Sequence, residues 1–308
     1  MNNKLSYIWY YYKKFGWLIF FTKKIPSLKK IIPQKCFIRI TKKRHDAIER
    51  KIRTIANNYN DISLDISINH NNDKIIWFCW LQGFDNMPLI VKACYNSIIR
   101  NNKYYNIKFI SFANYQEYVS LPDYISNLYH NGSIKNAHFA DIIRTFLLYK
   151  YGGLWIDATI YVNNTIPDYY NYKFYSLRLN SNPIYVSDCR WCNFYLFGNP
   201  GNKVMELTLK LFYSYLKNEP IFIDYFMMDY FIDIAYKDNN EVKECIDKIL
   251  PIKYDIYILN KVLNSPVLEN NKNILSIPLN KLHWKDNFTD NINSLKTFYK
   301  EITENENN

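Results

Sequence analysis

Asp141, Arg144 and Asp157 fall within one stretch, AHFADIIRTFLLYKYGGLWIDAT (Ala137–Thr159), which also holds a Gly-Gly break. Residues three apart on a helix share a face, so Asp141 and Arg144 are neighbours there. A guanidinium is a rigid planar fork that suits a phosphate group or fixes the orientation of a carboxylate. A carboxylate such as Asp157 holds hydroxyl groups, or water bound to a metal ion. The same Asp141/Arg144 spacing equally serves a buried ion pair that only closes a core. What favours a site is the order in which helix pair, glycines and strand-end acid follow one another.

The elements that must position these groups are legible nearby. Ile142, Ile143, Phe146, Leu147 and Leu148 recur at helical spacing and predict a helix buried on one face. Lys150 supplies a basic last turn, and Gly152 and Gly153 stop the helix in a chain with only 7 glycines. Leu154, Trp155 and Ile156 then read as a short inner strand. Asp157 leaves it at the carboxyl end, where open α/β sheets hold their ligands.

Upstream, an Asn-rich joint (NHNND, near residue 70) precedes a strand-helix alternation. KIIWFCW (Lys74–Trp80) reads as a first strand, Pro88 opens a helix to about Arg100, and IKFISF (Ile107–Phe112) reads as a second strand. Downstream the pattern predicts strands at Ile160–Val162 and near Phe174 and Tyr195. Helices are expected at about Lys203–Leu216, Tyr225–Tyr236 and Glu241–Leu250. With 308 residues, 48% hydrophobic and 18% aromatic, the chain is globular rather than disordered.

The net charge of +11 is local. Residues 1–53 hold 15 Lys or Arg against Asp46 and Glu49, a net of +13, whereas the rest of the chain has 24 basic against 26 acidic residues, a net of −2. The same segment carries YIWYYYKKFGWLIFFTKK (Tyr7–Lys24), where aromatic residues interleave with lysine pairs. Such a segment suits an anionic membrane surface. Lys13 and Lys14 interrupt the apolar run, so spanning is not expected, and the split run with no small-residue cleavage site argues against a signal peptide. A basic helix packed on the main domain is the competing reading. No recognition motif accompanies the charge, so nucleic acid is not an expected partner. Six cysteines include one Cys-x-x-C (Cys189, Cys192) without a partner pair at zinc-site spacing, and all six are expected as small buried hydrophobes.

Three segments in order, IWFCWLQGFDNMPLIVKACYNSI, LPDYI and AHFADIIRTFLLYKYGGLWIDATIYV, resemble the capsular polysaccharide synthesis proteins. That family is related to the DXD-containing sugar transferases that include yeast initiating mannosyltransferases and the large clostridial glucosylating toxins. The resemblance covers residues 74–165 well. It implies a GT-A fold and sugar transfer from a nucleotide diphosphate donor, with retention of configuration. By the same resemblance Asp141 and Arg144 hold the donor's sugar hydroxyls and ribose or phosphate, and Asp157 is the first acid of the DXD motif. The motif reads Asp157, Ala158, Thr159, so the second metal-ligating carboxylate is missing. A divalent metal, manganese or magnesium, is expected of the family and left in doubt by Thr159.

On the same footing, Trp77, Trp80 and Gln82 fall where the first strand of a GT-A fold meets the nucleotide, although Trp77 and Trp80 equally suit a strand core. In KLHWK (Lys281–Lys285), His283 is a candidate metal or phosphate ligand and Lys285 a candidate partner for the leaving group.

The expectation is therefore an α/β, GT-A-like nucleotide-sugar-binding fold with a mixed central sheet and a helical basic amino-terminal arm. Residues 1–70 form the arm, 71–300 the glycosyltransferase domain and 301–308 a frayed tail. The expected partners are a nucleotide sugar, a UDP-sugar foremost, and a glycan or lipid-linked oligosaccharide acceptor in bacterial capsular or other surface polysaccharide synthesis. The place is the cytoplasmic face of the cell membrane. A catalytically silent nucleotide-sugar-binding protein of the same fold, or a transferase acting on a protein acceptor, are the alternatives.

Overall fold

The computed structural model describes residues 2–22, 32–70 and 73–304, with side chains from residue 8 onward. The elements, in chain order, are α1 (Asn2–Phe15), α2 (Trp17–Thr22), α3 (Gln34–Ile55), β1 (Ile75–Cys79), α4 (Leu89–Asn101), β2 (Asn106–Ile110), α5 (Tyr115–Tyr118), α6 (Asp123–His130), α7 (Asn136–Lys150), β3 (Gly153–Asp157) and β4 (Ile160–Val162). After them come β5 (Phe174–Ser176), β6 (Tyr195–Gly198), α8 (Lys203–Asn218), α9 (Met227–Asp238), α10 (Asn240–Asp247), α11 (Ile258–Val262), β7 (Leu279–Lys281), β8 (Asn291–Ile292), β9 (Leu295–Lys296) and α12 (Phe298–Thr303).

The central sheet has five strands in the order β2-β1-β3-β6-β5. β1 pairs in parallel with both β2 and β3, while β6 runs antiparallel to β3 and to β5. The sheet is therefore mixed. Its inner strands are buried on both faces, which is why they read as continuous apolar runs. Side chains alternate between two cores: Ile75, Trp77, Cys79, Trp155 and Leu196 join one, and Ile76, Phe78, Leu154, Ile156 and Phe197 the other. The first core is completed by α7, α8 and α9, the second by α4 and the β4-β7 pair.

The amino-terminal helices belong to the first core. Tyr11, Phe15, Ile19, Ile48, Ile52 and Ala56 are all buried in it. Arg53 of α3 makes a two-pronged bond to Asp238 of α9 at 2.7 and 2.8 Å, and Arg44 pairs with Asp224 at 2.7 Å. The described helices of the basic segment, α1 to α3, are thus strapped to the α8-α9 layer rather than detached from it. No helix among the described residues is long and apolar enough to cross a membrane.

Several expected boundaries move for identifiable reasons. The first strand ends at Cys79, and Trp80, its N–H still bonded to the carbonyl of Ile110, opens a turn closed by the Gly83 N–H on its own carbonyl. The helix expected from Tyr225 starts at Met227, leaving Tyr225 and Phe226 exposed before it. Residues 301–304, expected in a frayed tail, are ordered: Thr297 caps α12, which buries Phe298 and Ile302, and residues 305–308 lie outside the described ones. The cysteines are free; Cys36 is exposed and Cys245 half-buried, so only four of the six are buried as expected.

Candidate active site

Gly152 and Gly153 decide where Asp157 sits. Both hold positive φ, +66° and +93°. A Cβ on Gly152 would lie 2.6 Å from Pro200 Cδ, and one on Gly153 2.7 Å from the carbonyl oxygen of Ile75. Only glycine lets the chain turn out of α7 and enter β3 so close to its neighbours. β3 then runs level with β1, Cys79 beside Asp157, so both strands deliver their carboxyl ends to the same edge.

Each oxygen of the Asp157 carboxylate is engaged. Oδ1 accepts from the Trp155 indole N–H at 2.9 Å and lies 3.6 Å from Arg144 Nη1. Oδ2 accepts from Lys281 Nζ at 3.0 Å, and the same ammonium donates to Thr159 Oγ1 at 2.8 Å. Burial alone would raise this acid, but Lys281 and Arg144, with the indole bond, outweigh it and hold the carboxyl below the usual range.

Arg144 is buried on the inner face of α7. It donates to Asp141 Oδ1 at 2.7 Å and to the backbone carbonyl of Asn193, and its guanidinium stacks 4.9 Å from the Trp155 ring centre. Its Nε finds no partner. Asp141 is pushed up to about 6 by burial, which Arg144 opposes and the charge of Asp157 reinforces.

A further acid completes the group. Asp229, on the first turn of α9, accepts from the Trp191 indole at 3.0 Å and from the Asn193 side chain at 2.8 Å. Burial pushes it up to about 7 despite the indole bond. The loop it grips is the one whose carbonyls, Asn193 and Phe194, receive Arg144 and the Asp157 N–H. Phe194 also lies under the Lys281 ammonium, 4.9 Å from the ring centre.

Of the residues expected from the sequence, Asp141, Arg144 and Asp157 are brought together. Trp77 is not available to a base: it is 1% exposed, packs against Tyr118 and Tyr151, and donates its N–H to the Gly152 carbonyl at 2.8 Å. It is a core residue that braces the glycine turn. Trp80 is nearly as buried, with its N–H on the Asn86 carbonyl and its ring 5.3 Å from that of Trp284. Lys285 lies over Trp284 at 5.0 Å, so the exposed Trp284 links it to Trp80. Gln82 is exposed, its carbonyl held by Asn86. His283 is exposed, and its backbone N–H bonds Asn260.

The residue of KLHWK that reaches Asp157 is Lys281. β7 pairs with β4 so that Lys281 lies opposite Ile160, one residue past Thr159. No local pattern marks it; the β4-β7 register has to be known. Asp229 was equally hidden inside an apolar helix, and Asn193 acts through a carbonyl that sequence does not distinguish.

A divalent metal does not fit this donor set. Thr159 stands where the second acid is expected, both Asp157 oxygens already receive N–H donors, and an ammonium fills the space between Asp157 and Thr159. Among the described residues no three His, Cys, Asp or Glu side chains gather into an all-protein metal site, so a divalent ion here would have only Asp157 and the donor's own phosphates to hold it.

A family model described as capsular polysaccharide synthesis protein matches residues 28–302. The chain belongs to the capsular polysaccharide synthesis protein family. The match begins ahead of α3, leaves out α1 and α2, runs into α12, and includes every residue of the cluster described above. Among curated proteins, an O-glycosyltransferase, braB, of Annulohypoxylon truncatum is 28% identical over 106 residues, which is 32% of this chain and 25% of that protein. The chain thus matches about a quarter of that relative's length. No solved structure matches.

Proposed function

We propose that this family member is a glycosyltransferase that moves a sugar from a nucleoside diphosphate donor, a UDP-sugar foremost, to a glycan acceptor in surface polysaccharide synthesis. The observation that carries this reading is the strand-end Asp157 held between Arg144 and Lys281, with Asp141 beside Arg144. The family and the O-glycosyltransferase relative support it. Departure of a diphosphate leaves negative charge on oxygen, and fixed cations in a partly enclosed site stabilise it. Carboxylates beside them hold sugar hydroxyls.

As the bond from the anomeric carbon to the diphosphate oxygen breaks, its electron pair stays on the diphosphate, facing the two cations. The acceptor oxygen bonds to the anomeric carbon and passes its proton to the departing oxygen. Both acids are tied into ion pairs or hydrogen bonds, so front-face attack with retention is the proposed course rather than a covalent enzyme intermediate. The fold this implies is GT-A-like.

The site operates at an anionic membrane surface on the cytoplasmic side. Helix α1 and helix α2, separated by Gly16, each bury one face and expose the other. Tyr11, Phe15 and Ile19 point inward, while Trp9, Trp17 and Phe21 are 63, 64 and 66% exposed. Lys13 covers the Trp9 ring at 4.7 Å, and a hollow of about 350 Å³ beside Trp17 is flanked by Arg50 and Lys51. Exposed indoles with neighbouring cations match the headgroup boundary of an acidic bilayer. Lipid-linked acceptors are then within reach.

Thr159 at the second acid position favours one other reading, a silent nucleotide-sugar-binding protein of the same fold. A panel of nucleotide sugars, assayed for thermal shift and then for donor hydrolysis and transfer, separates the two. Turnover supports the transferase, binding without turnover supports the silent protein, and neither binding nor turnover overturns both.

A further inference from the structure

We propose that the ammonium group of Lys281 takes the place of the divalent cation at the strand-end acid, so that this site binds a nucleoside diphosphate without metal. The inference rests on the transferase reading for its ligand, but its geometry is independent of it. Three features place the ammonium. The antiparallel β4-β7 register sets Lys281 opposite Ile160. The Leu282 N–H bonds the Thr159 carbonyl at 2.8 Å, and the Lys281 N–H bonds the Ile256 carbonyl at 2.8 Å, which fixes the backbone on both sides of the lysine. The side chain, 20% exposed, then crosses the Phe194 ring to donate to Asp157 Oδ2 and Thr159 Oγ1.

An ammonium has three donors and no acceptor. Two of the three are spent on Asp157 and Thr159, leaving one to meet a ligand oxygen. A threonine hydroxyl accepts from an ammonium at no charge cost, whereas a second carboxylate would draw in a divalent ion. At this point the chain therefore carries one negative charge fewer than a two-acid motif and one fixed positive charge more. Arg144, on the other side of Asp157, gives a diphosphate a second cation. The class of ligand is an anion that needs no metal bridge to reach the carboxylate edge.

The test is calorimetric titration of the full chain with UDP, in EDTA and in excess manganese, together with titration of the nucleotide-free protein with manganese alone. The expected result is UDP binding that differs less than about twofold between the two buffers, and no manganese binding by the free protein. Lys281→Met, which keeps the stem over Phe194, is expected to weaken UDP about tenfold or more, the loss of one charge-assisted hydrogen bond, and Lys281→Arg to restore part of it. Thr159→Asp combined with Lys281→Met, which restores the second acid of the motif and removes the ammonium between the two positions, is expected to create manganese binding. UDP binding abolished by EDTA and restored by manganese overturns the inference. So does manganese binding by the free protein that disappears in Asp157→Asn. If neither UDP nor any other nucleoside diphosphate binds in either buffer, the transferase reading fails, and the manganese titrations still decide whether Lys281 excludes a metal.

Discussion

Arg144 and Lys281 address different oxygens of one carboxylate: Nη1 of Arg144 lies 3.6 Å from Oδ1 of Asp157, and Nζ of Lys281 lies 3.0 Å from Oδ2. One cation comes from the helix before the strand and the other from a strand 124 residues after Asp157. Asp157 is therefore the joint between them.

Asp157→Asn keeps volume and removes the charge that holds both cations. Turnover is expected to fall about a hundredfold or more, in line with losing a group that organises transition-state charge. The fold should survive, since Asn still accepts from the Trp155 indole. Donor hydrolysis beside a melting curve checks both, and undiminished hydrolysis rejects the site.

Arg144 and Asp141 should separate when each is changed to alanine. Arg144→Ala strands Asp141 and the Asn193 carbonyl without their buried donor and is expected to cost about 3 kcal/mol. For a chain of this size that is a fall of roughly 5 °C in melting temperature. Asp141→Ala removes a carboxyl that burial disfavours and leaves Arg144 its Asn193 and Asp157 contacts, so it should melt closer to wild type than Arg144→Ala while binding donor more weakly. Equal destabilisation by both would mark a mere structural pair.

The pH dependence follows from Asp141 at about 6 and Asp229 at about 7, both above the ordinary carboxyl value of 3.8. The folded state holds these protons more tightly than the unfolded chain, so their contribution to stability is full below about pH 4 and is lost as pH rises to about 7. Activity runs the other way. Ionised Asp141 pairs fully with Arg144, and ionised Asp229 grips Trp191 and Asn193, so turnover should climb between about pH 6 and 7. Asp229→Asn should flatten the upper part of that climb; an unchanged profile excludes Asp229.

On the outer face of α1 and α2, replacing Trp9, Trp17 and Phe21 by serine leaves the buried Tyr11, Phe15 and Ile19 in place. The triple variant should lose sedimentation with phosphatidylserine vesicles and keep donor hydrolysis. Deleting the whole segment would not test the same thing, because its buried residues belong to the core. Sedimentation equal to wild type discards the membrane surface.

The sequence foretold the strands of the sheet and the helix that carries Asp141 and Arg144, because inner strands and buried helix faces leave strong apolar patterns. It did not foretell Lys281 or Asp229. Both reach the site by contacts across the chain, Lys281 through a strand register and Asp229 through a loop it grips, and neither leaves a local trace. Trp77 shows the converse error: an aromatic at the right strand can serve a glycine turn instead of a ligand.

The anchoring of the amino-terminal helices has a consequence for synthesis. Tyr11 bonds the Ile223 carbonyl 212 positions away, and Arg53 meets Asp238 across 185. At ~5–20 residues per second, a ribosome makes the receiving surface about ten to forty seconds after it makes the first helix. Throughout that interval Phe15, Ile19, Ile48 and Ile52 have no α8-α9 layer to cover them. The inner face of α1 to α3 thus waits for partners made much later, and a message truncated before α8 yields a product in which that face stays uncovered.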